Sequence, residues 1–209
     1  MKTNKLSAYI VILFFISILS FSLFSDTPLI PSEEMIKFQD KTSCAAWYSV
    51  KSMIFKPRVA MAGVSCHITT RLEKKIDNFR LIAEMPLSSF DSADKGRDKY
   101  FRKALNEDVR PALLFESSAL DKTKWRDIIN GQFKTLTGEL FIGNKKFPIV
   151  FTLKNNGTLI RGIFKGKFDD FGLIPHTVGP FGMVAKTENY LEIHFQLDFK
   201  NTTGINLLD

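Results

Sequence analysis

The sequence predicts an all-β chain, a single antiparallel β-barrel with one short helix. Three observations predict it: apolar and polar residues alternate with period two along most of the chain, short Gly and Asn turns recur at close intervals, and long helical patterns are missing. Closing such a sheet on itself removes its exposed edges. The length of 209 residues suits one domain with a sizeable core.

At the front, Lys2 and Lys5 precede an apolar run over residues 8–24, the layout of a secretory signal. The run is long enough to approach a membrane span and no Ala-x-Ala site follows it, so residues 1–25 read as a signal peptide or as a retained anchor in the inner membrane. Both readings export the remainder to the periplasm or another extracytoplasmic space. Residues 26–43 form a polar arm containing Pro28 and Pro31 without sustained periodicity. Residues 44–202 carry the barrel, and 203–209 a C-terminal tail.

Within the barrel the clearest strand is the last. Leu191, Ile193, Phe195, Leu197 and Phe199 alternate with Glu192, His194, Gln196 and Asp198, which predicts one apolar and one wet face. Phe79, Leu81, Ala83, Met85 and Leu87 repeat the pattern, as do Ile149, Phe151 and Leu153. Two strands flank Gly143-Asn144-Lys145-Lys146, a hairpin turn, and further turn signals stand at Asn155-Asn156-Gly157, Gly162 and Gly166. Between residues 94 and 106, Tyr100, Phe101, Ala104 and Leu105 recur at near-helical spacing and predict the one short helix.

Cys44 and Cys66 are the two cysteines, and in an oxidising compartment an even pair favours one disulfide; two free thiols or a metal pair with His67 form the weaker alternative. The formal charge of +7 falls to +5 without Lys2 and Lys5, and the basic residues are spread along the chain. Nucleic-acid binding is therefore not expected, whereas association with an anionic membrane surface is compatible with the charge. Homodimerisation is compatible with the sequence and undecided by it.

The stretch Pro86-Leu87-Ser88-Ser89-Phe90-Asp91-Ser92, then Gly96-Arg97-Asp98-Lys99-Tyr100-Phe101-Arg102, resembles the strand, turn and Arg-Asp helix of the YceI-like proteins. Arg110-Pro111 leading to Leu113 and Phe115 follow in the same order. Leu136-Thr137-Gly138-Glu139-Leu140-Phe141-Ile142, Pro148-Ile149-Val150-Phe151 and Phe171-Gly172 complete the match, from about Trp47 to Phe199. Phe101 stands where Leu is usual and Tyr100 where His is common. The resemblance implies an eight-stranded, lipocalin-like periplasmic barrel that binds polyisoprenoids.

An eight-stranded barrel is either filled by its own side chains or holds one small ligand. The expected lipid-binding residues, all on inward faces, are Leu81, Met85, Leu113, Phe115, Leu136, Leu140, Phe151, Phe164, Ile193 and Phe195. With 20 Phe against 4 Tyr and 2 Trp, the lining is apolar with few polar handles. Plain core packing is the competing reading for each position.

Asp91, Arg97 and Asp98 invite comparison with an acid and base set, but an Asp before a helix more often caps a turn. His67, His176 and His194 lack metal or triad spacing, and no Gly-x-Ser-x-Gly elbow exists. The expectation is a non-enzymatic binder, without metal or cofactor, that stores or transports a long-chain isoprenoid lipid or isoprenoid quinone. The alternative is an envelope stress-response or interaction module with a filled core.

Overall fold

The computed structural model describes residues 29–54, 56–156 and 159–208; the expected signal or anchor at 1–25 lies outside the described residues. Among the described residues ten strands form one antiparallel sheet. They are β1 (Cys44–Met53), β2 (Lys56–Ser65), β3 (Thr69–Lys75), β4 (Asn78–Pro86), β5 (Ala112–Ser117), β6 (Thr135–Ile142), β7 (Lys145–Asn156), β8 (Leu159–Gly166), β9 (Thr177–Val178) and β10 (Ala185–Asp198). Their order is β2-β1-β10-β8-β7-β6-β5-β4-β3, with β9 paired only to β10.

Two expectations are corrected here. The strands number ten, not eight, and the sheet is not closed, because β2 and β3 end the order without pairing to each other. Their free edges bond to loops instead. Val64 of β2 exchanges backbone hydrogen bonds with Asp91, while Thr70 and Leu72 of β3 do so with Thr203. Loop segments thus blunt both edges and the seam needs no ladder.

The hairpin between β6 and β7 turns on Gly143 and Asn144 alone, since Ile142 pairs with Lys145. At Gly143 the backbone adopts φ 55°, a left-handed conformation that glycine enters without a Cβ penalty.

Among the described residues three α-helices occur where one was expected. α1 (Ser32–Met35) lies in the arm, α2 (Lys95–Ala104) matches the expectation, and α3 (Lys122–Ile129) is additional. Asp94 caps α2 by accepting from Gly96 N and Arg97 N, and Asp121 caps α3 by accepting from Lys124 N. Leu105 and Asn106, just beyond α2, reach the β6–β7 turn at one end of the barrel. α3 packs at the other end, where its fully buried Trp125 donates from Nε1 to the carbonyl of Phe79, at the start of β4, at 2.9 Å.

The main core fills the barrel from Leu72 and Leu81 round to Leu197 and Phe199. A second, smaller core lies outside it. Residues 29–38 of the arm lay Leu29, Met35, Ile36 and Phe38 against Ala46, Tyr48, Val50 and Ala62, so β1 is buried on both faces. This overturns the expected wet face of β10. Glu192, His194, Gln196 and Asp198 are all buried, and the arm supplies partners to the side chains of Glu192 and Gln196. Gln196 donates to the carbonyls of Gln39 and Thr42, and Ser43 Oγ accepts from Asp198 N.

The C-terminal segment also joins the body, with Leu208 buried and its carbonyl accepting from Arg126. Cys44 and Cys66 form a disulfide across a separation of 22 residues, stapling β1 to the end of β2. Its removal by Cys44→Ser with Cys66→Ser is expected to cost about 3 kcal/mol, from the unfolded-state loop closed by a crosslink of this span. Urea unfolding of the double variant against the oxidised protein checks this.

Candidate functional site

Two cavities meet inside the barrel. The inner one, of about 90 Å³, is walled by side chains from β1, β4, β5, β6, β7 and β10. Of the ten expected lipid-binding residues, nine line it: Leu81, Met85, Leu113, Phe115, Leu136, Leu140, Phe151, Ile193 and Phe195. Phe164 does not. Its ring turns toward Phe171 in an edge contact at 5.4 Å, in the wall next to the 3-10 turn Phe168–Phe171.

The inner wall is built from rings laid over glycines. Phe195 lies across Gly162 on the neighbouring strand, Phe115 over Gly138, and Trp47 over Gly63. A Cβ at any of these three glycines would collide with the ring. The rings also interlock edge to face, Phe115 with Phe151 at 5.5 Å and Phe151 with Phe195 at 4.8 Å. Gly162→Ala is accordingly expected to destabilise by about 1–3 kcal/mol through overpacking, measured by thermal melting.

The outer cavity, of about 560 Å³, opens at the α2 end and lies between α2, the middle and end of β1, the start and middle of β2, and residues 168–176. It is within the size range of sites that bury a drug-sized ligand. Trp47, Phe101, Leu105, Leu173 and Leu191 line both cavities and form the partition between them. The centre of this partition is the stacked pair Trp47 and Phe101, with ring centroids 5.5 Å apart, backed by Phe90.

Toward the outer cavity's rim stand Lys51, His176 and the pair Arg97–Asp94 at 3.5 Å, with Ser49 and Thr187 buried deeper in its wall. One polar atom in the partition has no acceptor among the described residues, the buried Nε1 of Trp47. A buried donor left unpaired costs free energy, and this one lies against Gly63 of β2.

The residues considered for catalysis are occupied in local structure. Asp98 accepts from the backbone N and the hydroxyl of Ser92, at 3.1 and 2.6 Å, and Asp91 accepts from Ala93 N. Arg97 donates to the Ser92 carbonyl and pairs with Asp94. These contacts hold the turn before α2.

The strongest electrostatic feature faces the arm, outside the cavities. Glu192 accepts from Ser32 Oγ at 2.5 Å and from Tyr190, lies 2.7 Å from His194 Nε2, and pairs with Lys165 at 3.1 Å. Burial alone would raise its pKa, but the hydrogen bonds from Ser32, Tyr190, Lys165 and His194 outweigh it and hold the carboxyl at about 2. Burial lowers the His194 pKa against the pull of Glu192, and burial first, then the Glu192 bond, raises that of Tyr190.

Similar solved structures include BcnA of Burkholderia cenocepacia, 16% identical, covering 74% of this chain and 94% of that one, with a TM-score of 0.44. A YceI protein of Campylobacter jejuni is 10% identical, covering 83% and 91%, with a TM-score of 0.43. A polyisoprenoid binding domain from Saccharophagus degradans, implicated in plant cell wall breakdown, is 12% identical, covering 74% and 91%, with a TM-score of 0.45. No curated protein matches the sequence. The YceI-like domain, in contrast, matches residues 33–199 in one continuous stretch, from α1 in the arm to the end of β10, and the chain belongs to the YceI-like family.

Proposed function

We propose that the chain binds a long-chain isoprenoid lipid or isoprenoid quinone outside the cytoplasm, as a carrier or store and not as an enzyme. The observation that carries this reading is the pair of contiguous apolar cavities separated by one aromatic stack. A hydrocarbon tail enters from the outer cavity, and its polar end stays with the rim groups. The disulfide supports an oxidising compartment, and the apolar wall supports a tail.

Each tail methylene removed from water contributes about 0.8 kcal/mol, yet a tail leaving a bilayer gains almost nothing, so release remains easy. The inner cavity, at about 90 Å³, is smaller than the ~150 Å³ that accommodates benzene in a protein core. Occupation of the barrel therefore requires the Trp47–Phe101 stack to part and the wall rings to shift. Such a stack is worth about 0.5–1.5 kcal/mol. Phe101→Ala is expected to speed uptake and release of a fluorescent prenyl probe by up to about tenfold, read by stopped-flow fluorescence.

The deciding experiment is mass spectrometry of lipid extracted from the purified protein. Near-stoichiometric isoprenoid supports the reading. No isoprenoid, together with no uptake of the prenyl probe, removes it. The small inner cavity favours a second reading, an interaction module with a filled core; that reading predicts a protein free of lipid whose binding to envelope components survives Phe151→Asp and Phe195→Asp in variants that still fold.

A further inference from the structure

We propose that the loop of residues 178–184 docks the open end of the barrel onto an anionic lipid bilayer, placing the outer cavity against the lipid that fills it. The proposal rests on the lipid-binding reading above. The loop joins β9 to β10 and carries Val178, Phe181, Met183 and Val184, all exposed, with Phe181 wholly so. Ile174, on the outer cavity's wall, and Ile54, at the β1–β2 turn, add two more exposed apolar side chains at the same end. Ile54 N donates to the Val184 carbonyl, which fixes the two tips side by side.

Exposed apolar groups so clustered mark an interaction surface rather than ordinary solvent-facing residues. The loop is a shaped projection: Gly182 N bonds to Gly179 O, Met183 N to Pro180 O, and Val184 N to Val178 O. At its apex Phe181 adopts φ 54°, a left-handed conformation costly for a residue with a Cβ. Glycine would hold this turn more cheaply, but the chain places a ring there, pointing into solvent.

Charge selects the partner. Residues 171–187 contain no acidic residue, nor do residues 50–60, while Lys51, Lys56 and Lys186 stand at this end of the sheet. Of the acidic groups nearby, Glu188 is matched by Arg58 and Asp94 by Arg97, while Asp169 accepts from the Asn189 amide and Asp170 from Lys167 N. An apolar tip inside a cationic rim fits the interface of an anionic bilayer, where the rings sit among the headgroups and lysines meet lipid phosphates. The same end holds the opening of the outer cavity, so docking and lipid transfer share one surface.

Flotation of the full chain with vesicles tests this, comparing phosphatidylcholine mixed with phosphatidylglycerol against phosphatidylcholine alone. The expected result is binding to the anionic vesicles that weakens as salt rises, and that falls about tenfold or more in Phe181→Ser with Met183→Ser. Thermal melting confirms that this surface variant folds. No association of the wild type, or equal binding of the variant, overturns the proposal. A dimer in light scattering that dissociates in the same variant also overturns it, in favour of self-association. Isoprenoid extracted from both proteins is measured alongside: retained cargo with lost flotation supports docking, retained cargo with no wild-type flotation sinks docking alone, and cargo missing from a wild type that floats sinks the lipid-binding reading alone.

Discussion

Glu192→Ala is expected to lower the unfolding free energy by about 3 kcal/mol, the scale for removing one partner of a buried charged network. It should also release the N-terminal arm while the barrel persists. The carboxylate is the common acceptor for Ser32 in the arm, Tyr190 and Lys165, and it pairs with His194, all at one buried point on β10. Without it those donors lose their acceptor, and Ser32 loses its bond to the barrel. Hydrogen exchange should rise across residues 29–43 in the variant and stay low in β4 and β7. Uniform exchange in both regions would show that the arm is not held by this group.

The same group sets a pH dependence. Its folded pKa of about 2 lies below the ordinary 4.5, so its stabilisation is complete above pH 4.5 and lost between about 4.5 and 2. The His194 pKa is also lowered on folding, because burial disfavours the imidazolium. Its contribution is present above the ordinary 6.5 and declines as pH falls through that value. Wild-type stability should therefore be flat from about pH 7 to 10, where the raised phenols of Tyr48 and Tyr190 begin to count against folding, and fall in two stages on acidification. In Glu192→Gln the lower stage should shrink to what the lowered carboxyls of Glu188, Asp94 and Asp121 contribute, measured by urea melts at successive pH values.

The interior wall was legible in the sequence because burial on a strand imposes strict alternation. In β4, β6, β7 and β10 the inward residues are Leu, Ile, Met and Phe, and their outward neighbours are mostly polar. Phe164 departs because β8 carries Gly162 and Gly166 and runs into the Phe168–Phe171 turn, whose Phe171 draws its ring aside. The partition and the outer cavity were not legible. They depend on α2 and residues 168–176 meeting β1, a contact between segments with no shared pattern.

The buried outer face of β10 was misread for a related reason. Alternation shows that two faces differ, not that the polar one is wet, and its cover comes from Ser32, 160 residues away. A signal did exist in Ile36 and Phe38, apolar residues in an arm otherwise read as polar. α3 escaped because eight residues are too few for periodicity to stand out. Its marks were Asp121 at the cap position and Trp125, Ile128 and Ile129 at i, i+3 and i+4 spacing.

Trp125→Ala carries the largest expected loss, about 4 kcal/mol, since truncating a fully buried indole removes its apolar area and leaves a void. Part of that loss is polar, because Nε1 satisfies the Phe79 carbonyl at the first residues of β4. Trp125→Phe isolates this part and should cost about 1 kcal/mol, one hydrogen bond plus a small gap, since the Phe79 carbonyl keeps its bond from Leu120 N. The position matters for function as well as stability. Trp125 packs against Phe199 and Ile128 at the end of the barrel away from the outer cavity, where the core is sealed by α3 and the C-terminal turn. Opening that end lets water reach the tail of any bound isoprenoid, so cargo recovered from Trp125→Ala should fall while that from Trp125→Phe stays near wild type. Equal loss of cargo in both variants would place the seal elsewhere.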